Sequence, residues 1–248
     1  MNMRNLFKNI NISKWVFWFV FASLLISMIY AIIHIILPVN SEIIFFRQLN
    51  RDKSDYVLVV LQCVLGLICI FLPSVIERRL KYNFSNNLIL VYVIFLYCAI
   101  YLGEVHNFYV TVRNWDTILH AFSGMMLGVL GFTLVDLLNS SDKVRMQLSP
   151  LFVAIFAFSF AVSLGVIWEI YEFFTDGVFN VNMQRHISAD GIPLVGREAL
   201  LDTMKDLIVD CLGALGIALI GYVFLRRGHS WFSLFRRKGN GQIEEEAG

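Results

Sequence analysis

The sequence predicts an all-α integral membrane protein of six transmembrane helices with both termini cytoplasmic. Three observations carry that expectation. Of 248 residues, 58% are hydrophobic and only 16% charged, with 22 Phe. A soluble domain cannot hide so much apolar surface, whereas a bilayer accepts it. Six apolar stretches approach or exceed the ~20 residues that cross a hydrocarbon core of roughly 30 Å. Finally, Lys and Arg are unevenly shared between alternate connections, with 13 on the side of the two termini and 7 on the other. The richer side is the cytoplasmic one.

The spans follow in order. Met1–Lys14 is a short basic start, and Trp15–Leu37 is the first span. Pro38–Asp55 is a polar connection holding Arg47, Arg51 and Lys53. Tyr56–Ile76 is the second span, closed by the basic turn Glu77–Lys81. Asn87–Gly103 is the third, followed directly by Glu104 and His106. Phe108–Trp115 is aromatic and suits the interface. Thr117–Leu138, Leu151–Tyr171 and Leu207–Leu225 are the fourth, fifth and sixth spans. Phe174–Leu201 is the one long connection, broken by Gly177, Gly191, Pro193 and Gly196. Residues 1–248 form a single polytopic membrane domain, and 226–248 is a polar cytoplasmic tail. The four cysteines lie inside apolar stretches without a C-x-x-C pair, which reads as structural thiols. A net charge of +1 gives no support to a nucleic-acid partner.

Charged residues gather at one depth. Asp202, Asp206 and Asp210 are spaced by four, so a helix lines them on one face at the start of the sixth span. Asp116 and His120, also four apart, open the fourth span. Glu169 and Glu172, three apart, end the fifth, some 18–21 residues or ~27–32 Å from its start. Glu104 and His106 end the third on the same side. A charge in hydrocarbon needs a partner, a cation or a proton. Carboxylates and an imidazole offered as i,i+3 and i,i+4 pairs from neighbouring helices are how helical bundles build metal sites. The candidate ligands are His120, Glu169, Glu172, Asp206 and Asp210, with Asp116, Asp202, Glu104 and His106 behind them or at the rim. Oxygen-rich ligation suits Mg, Mn or Ca, and the histidine admits Zn or Fe. Asp116 also suits an N-cap. Lys205, Arg197 and Arg113 are the nearby cations. Gly124, Gly128 and Gly131 in the fourth span, with Gly213, Gly216 and Gly221 in the sixth, read as ordinary close packing.

Three segments carry a resemblance. W-D-T-I-L-H (Trp115–His120), W-E-I-Y-E (Trp168–Glu172) and D-T-M-K-D-L-I-V-D-C-L-G-A (Asp202–Ala214) resemble the YjdF-like family of bacterial multi-pass membrane proteins. The match covers about 116–216. G-R-E-A-L-L before Asp202 departs from that family's Gly- and Asp-rich pattern. The resemblance implies a bacterial cytoplasmic (inner) membrane location and no particular activity.

Three functions fit these residues. One is a metal-dependent membrane enzyme acting on a lipid or lipid-linked substrate near the outer face, with Glu169 or Asp202 as base and Phe174–Leu201 as a lid. The sequence shows no nucleophile motif for it. Another is a cation or proton-coupled transporter, which requires polar residues to continue across the membrane; below Asp210 they are sparse, and no inverted repeat is visible. The last is a non-catalytic assembly or sensor protein with a structural metal. The bilayer is the partner in every case.

Overall fold

A long apolar run in lipid must satisfy its backbone N–H and C=O groups internally, and this chain does so as helix. In the computed structural model the described residues are 12–37, 51–80, 84–139, 148–188, 190–229 and 231. They form α1 (Ile12–Ile36), α2 (Lys53–Cys69), α3 (Leu72–Leu80), α4 (Asn86–Leu96), a π-helical continuation (Tyr97–Val105), α5 (Phe108–Thr111), α6 (Trp115–Asn139), α7 (Pro150–Phe179) and α8 (Leu201–Arg226). Among the described residues six helical stretches are long and apolar enough to cross a membrane: Lys14–Ile36, Lys53–Arg79, Asn86–Val105, Trp115–Leu138, Pro150–Phe179 and Leu201–Arg226. The protein is thus an all-helical, multi-pass membrane protein. Much of the first connection and all but Arg226–His229 and Trp231 of the expected tail lie outside the described residues.

Local chemistry explains where several helices start. Asp52 precedes α2 and closes a capping box: its carboxylate accepts from the N–H groups of Ser54 and Asp55, while Asp55 accepts from the N–H of Asp52. Ser85 caps α4 by accepting from Leu88 N–H at 3.3 Å. Ser149 caps α7, with Pro150 at its first helical position. The fifth span, α7, runs past the expected Tyr171 to Phe179, because Glu172–Phe179 contains no proline and Gly177 stays within the helical turn. It stops at Asn180, whose φ of 50° is the left-handed conformation that closes a helix.

The helices sort into two packed groups. In the first, α1, α2, α4 and the π-helical segment close on Val20, Leu24, Val59, Cys63, Val93 and Ile100. The second is a three-helix bundle of α6, α7 and α8, with α6 and α8 the most closely packed pair. Their backbones approach because neither carries a side chain at two crossing points. A Cβ at Gly124 would run into the Asp210 carbonyl, and one at Gly213 into the Ala121 carbonyl. One end of this bundle is filled by Phe132, Val135, Val153, Ala154, Ala157 and Trp231. The charged residues lie at the other. Outside, Ile155, Ile167, Leu212 and Leu219 stay exposed, as a lipid-facing surface demands. The four cysteines are free thiols.

Candidate metal centre

Three antiparallel neighbours bring the start of α6, the end of α7 and the start of α8 to one level. His120 is the hub. Its Nδ1 is 3.2 Å from Asp210 Oδ2, while its Nε2 is 3.6 Å from Asp116 Oδ1 and 4.0 Å from Asp206 Oδ2. Asp116, His120 and Asp206 each offer one ligand atom, and these atoms lie within 4.8 Å of one another, a buried group of the size and type that could hold a metal ion. Asp210 sits behind the ring, and its second oxygen is 2.8 Å from the Ser123 hydroxyl. That hydroxyl is equally close to the His120 carbonyl, so its single proton serves one or the other.

Burial raises the stakes of these charges. Asp206 is 2% exposed, Asp210 4% and Glu169 4%. Among the described residues Asp206 Oδ1 has no hydrogen-bond partner, and the Thr203 side chain is the one hydrogen-bonding group beside Glu169. Such groups are costly to leave bare in a protein interior. His120, Asp202 and Asp210 are the charged neighbours of Glu169, and Thr203 lies beside it. Glu172, also buried, accepts from the indole N–H of Trp168 at 2.9 Å. Asp210 can enter this space because α7 has no side chain at Gly165; a Cβ there would stand 2.8 Å from Asp210 Oδ2.

The sequence-predicted residues therefore divide. His120, Asp206 and Asp210 meet directly, and Glu169 and Glu172 adjoin them. Asp116, expected behind the ligands or as a cap, turns its carboxylate to His120 from inside the first turn of α6. Asp202 is half-buried and faces Arg185 across 3.9 Å. Glu104 lines the neighbouring cavity but has Arg51, Asp55 and Arg185 as its charged neighbours, not His120. His106 follows the π-helical segment and packs edge-on against Tyr101.

Among the described residues the Arg or Lys within ion-pair distance of the cluster is Arg185, from the long connection, and Lys205 is only a more distant charged neighbour of Asp202. The Arg185 guanidinium lies 3.4 Å from Asp116 Oδ2 and over the Tyr109 ring at 5.9 Å. Burial, with Asp116, Glu104 and Glu172 nearby, pushes the Tyr109 phenol well above its ordinary pKa and keeps it neutral. The connection is pinned by Asp176, a buried acid of α7. Its carboxylate accepts from Met183 N–H at 2.7 Å and Gln184 N–H at 3.0 Å, with His186 Nδ1 at 3.3 Å. No helical spacing links the loop residue Arg185 to these groups, so periodicity had no means of finding it, whereas Asp176, four residues after Glu172 on the same helix, carried a helical signal that the sequence reading missed.

A cavity of about 790 Å³ opens beside this cluster. Asp116, His120, Glu172, Arg185, Asp202 and Asp210 line it on the cluster's side, Asp55, Gln62 and Glu104 add polar groups on the other, and Leu65, Phe95, Leu96, Met126, Leu127 and Leu164 form its apolar part. The two helical groups thus supply opposite walls of one amphipathic space.

Residues 23–227 match the family described as "Predicted membrane protein (DUF2238)". A Thermotoga maritima protein carrying the name "Uncharacterized protein" is 30% identical over 148 residues. The alignment takes in 59% of this chain and 64% of the relative, so the chain spans less than two thirds of the relative's length. No solved structure matches.

Proposed function

The chain belongs to the DUF2238 family of predicted membrane proteins, the family the YjdF-like resemblance pointed to, and from that premise we propose that it holds a divalent cation and acts on an amphipathic, lipid-type substrate. One observation carries the reading. His120, Asp116 and Asp206 converge beside a cavity that Asp116 and His120 line at one end and whose other walls, Asp55, Gln62, Glu104 and Asn107 apart, are rich in leucine, phenylalanine and methionine. A ligand that is polar at one end and apolar at the other matches that lining. In this reading Asp116, His120 and Asp206 are ligands, and Asp210 orients the imidazole as outer carboxylates commonly do. Glu169 and Glu172 complete or balance the site. The bare Asp206 Oδ1 favours an ion there, because a cation is the partner it lacks.

A cation so held would polarise a phosphoryl or carbonyl oxygen or acidify a bound water. Glu169, buried beside it, is the nearest candidate base, with Asp202 at the rim. Mn or Zn fits the mixed oxygen and imidazole set, and Mg or Ca its carboxylates. The Lys and Arg imbalance supports a cytoplasmic-membrane protein with both termini inside and the site towards the outer face. Transport is the weaker reading. At the opposite end of α6, α7 and α8 the core around Phe132 is apolar but for the one buried carboxylate oxygen of Asp136, and the Thr133 hydroxyl is already bonded to the Val129 carbonyl at 2.8 Å.

The test is metal content. Detergent-purified protein, stripped with chelator and titrated with Mn²⁺, should take up one ion per chain by calorimetry and elemental analysis. Asp206→Asn should abolish that uptake, and Glu169→Gln should weaken it. A wild-type protein that binds no Mn²⁺, Zn²⁺, Mg²⁺ or Ca²⁺ stoichiometrically would remove the proposal.

A further inference from the structure

Arg185 is an unusual residue to find in its conformation. Its φ is 47°, in the left-handed region that a non-glycine residue enters at a cost. The turn around it is fastened on both sides. Asp176 takes the N–H groups of Met183 and Gln184, just before it. Asn182 brackets it by donating to the Ile187 carbonyl at 2.8 Å and accepting from the Ile187 N–H at 2.9 Å. Four hydrogen bonds thus hold one arginine in a strained conformation at the cavity wall. A loop needing only a neutralising charge would not need such a scaffold.

The guanidinium is also underused. It approaches Asp116 at 3.4 Å and Asp202 at 3.9 Å. Charge-assisted hydrogen bonds run about 2.7–2.9 Å, so these are loose ion pairs that leave N–H donors over. The side chain is 37% exposed and lines the cavity. Asp116 is moreover the carboxylate it shares with the His120 group. A cation that takes Asp116 draws charge away from Arg185 and leaves a planar, multi-donor cation facing the cavity. Arginine in that state suits a phosphate, whose oxygens accept two parallel N–H bonds.

We propose that Arg185 is the anion-binding residue of this cavity, held there by Asp176 as its positioning residue, and that the ligand is an amphiphile with a phosphate headgroup. This rests on reading the Asp116, His120 and Asp206 group as a cation site, because the ion is what frees Arg185. Cation and phosphate binding should then reinforce one another, each raising the affinity of the other by the same factor.

The experiment measures binding of dioctanoyl phosphatidic acid to the full chain in a non-ionic detergent, with and without Mn²⁺. Dioctanoylglycerol and inorganic phosphate are the comparison ligands. Phosphatidic acid should bind at least about tenfold more tightly than either, and more tightly still with Mn²⁺ present. Arg185→Gln should lose about tenfold or more in phosphatidic-acid affinity, leave dioctanoylglycerol unchanged and still take up one Mn²⁺. Arg185→Lys should keep part of the preference. Asp176→Asn should lower the ratio of phosphatidic-acid to dioctanoylglycerol affinity, a readout that a general loss of stability does not move. Equal phosphatidic-acid affinity for wild type and Arg185→Gln overturns the proposal. So does equal binding of dioctanoylglycerol, and phosphate as tight as the lipid overturns the lipid as its source. Metal uptake separates the two readings. Wild type that binds Mn²⁺ but shows no phosphate preference sinks this inference alone. Wild type that binds no metal sinks the cation site, and the metal-free arm then decides Arg185 by itself.

Discussion

His120 Nδ1 faces Asp210 at 3.2 Å, while its Nε2 faces Asp116 and Asp206 at 3.6 and 4.0 Å. The two sides of one ring therefore have different company. A proton on Nδ1 donated to Asp210 leaves the Nε2 lone pair pointing between two carboxylates. The two positions should respond differently to substitution. Asp210→Asn should weaken Mn²⁺ binding by about 10–100-fold, the usual loss for a group that orients a ligand. Asp206→Asn should abolish it. Titration calorimetry on the two variants checks the order, and equal losses would put Asp210 among the ligands.

Gly165 makes room for Asp210, so it should behave as part of the site although it carries no side chain. A Cβ would stand 2.8 Å from Asp210 Oδ2, and the carboxylate would have to move. Gly165→Ala should reduce Mn²⁺ affinity to about the level of Asp210→Asn. Gly177 lies further along the same helix with nothing within 4 Å of its Cβ position. Gly177→Ala should leave metal binding intact and raise thermal stability by about 0.5–1 kcal/mol, since alanine loses less entropy in a helix. The pair separates an effect at the site from a general effect of filling a helix glycine.

Asp52 offers a pH test remote from the cluster. The Ser54 hydroxyl, then the Asp55 and Ser54 N–H groups, hold its carboxyl below the ordinary aspartate range against the opposing pull of burial. The folded state thus binds its proton less readily than the unfolded one. Its stabilisation is in full force above the unfolded value of about 3.9 and is lost as pH falls through the lower folded value. Asp52→Asn keeps the cap and should flatten this part of the stability profile. Asp52→Ala should cost about 1 kcal/mol at neutral pH. Thermal unfolding in detergent between acid and neutral pH reads both.

The sequence by itself determined the class of this protein and the level at which its charges lie. Six apolar runs leave the backbone no option in lipid but helix, and helical spacing puts Asp202, Asp206 and Asp210 on one face whatever their neighbours are. Antiparallel succession then brings Asp116, His120, Glu169 and Glu172 to that end. Only the tertiary structure decided which of them meet. Contact depends on how closely the backbones approach; Gly124 and Gly213 set that approach by close packing, and Gly165 leaves the room that Asp210 enters. It turned Asp116 inward beside His120 and left Glu104 on the far wall of the cavity. It also supplied Arg185, because a loop pinned by the Asp176 carboxylate follows no period that a sequence displays.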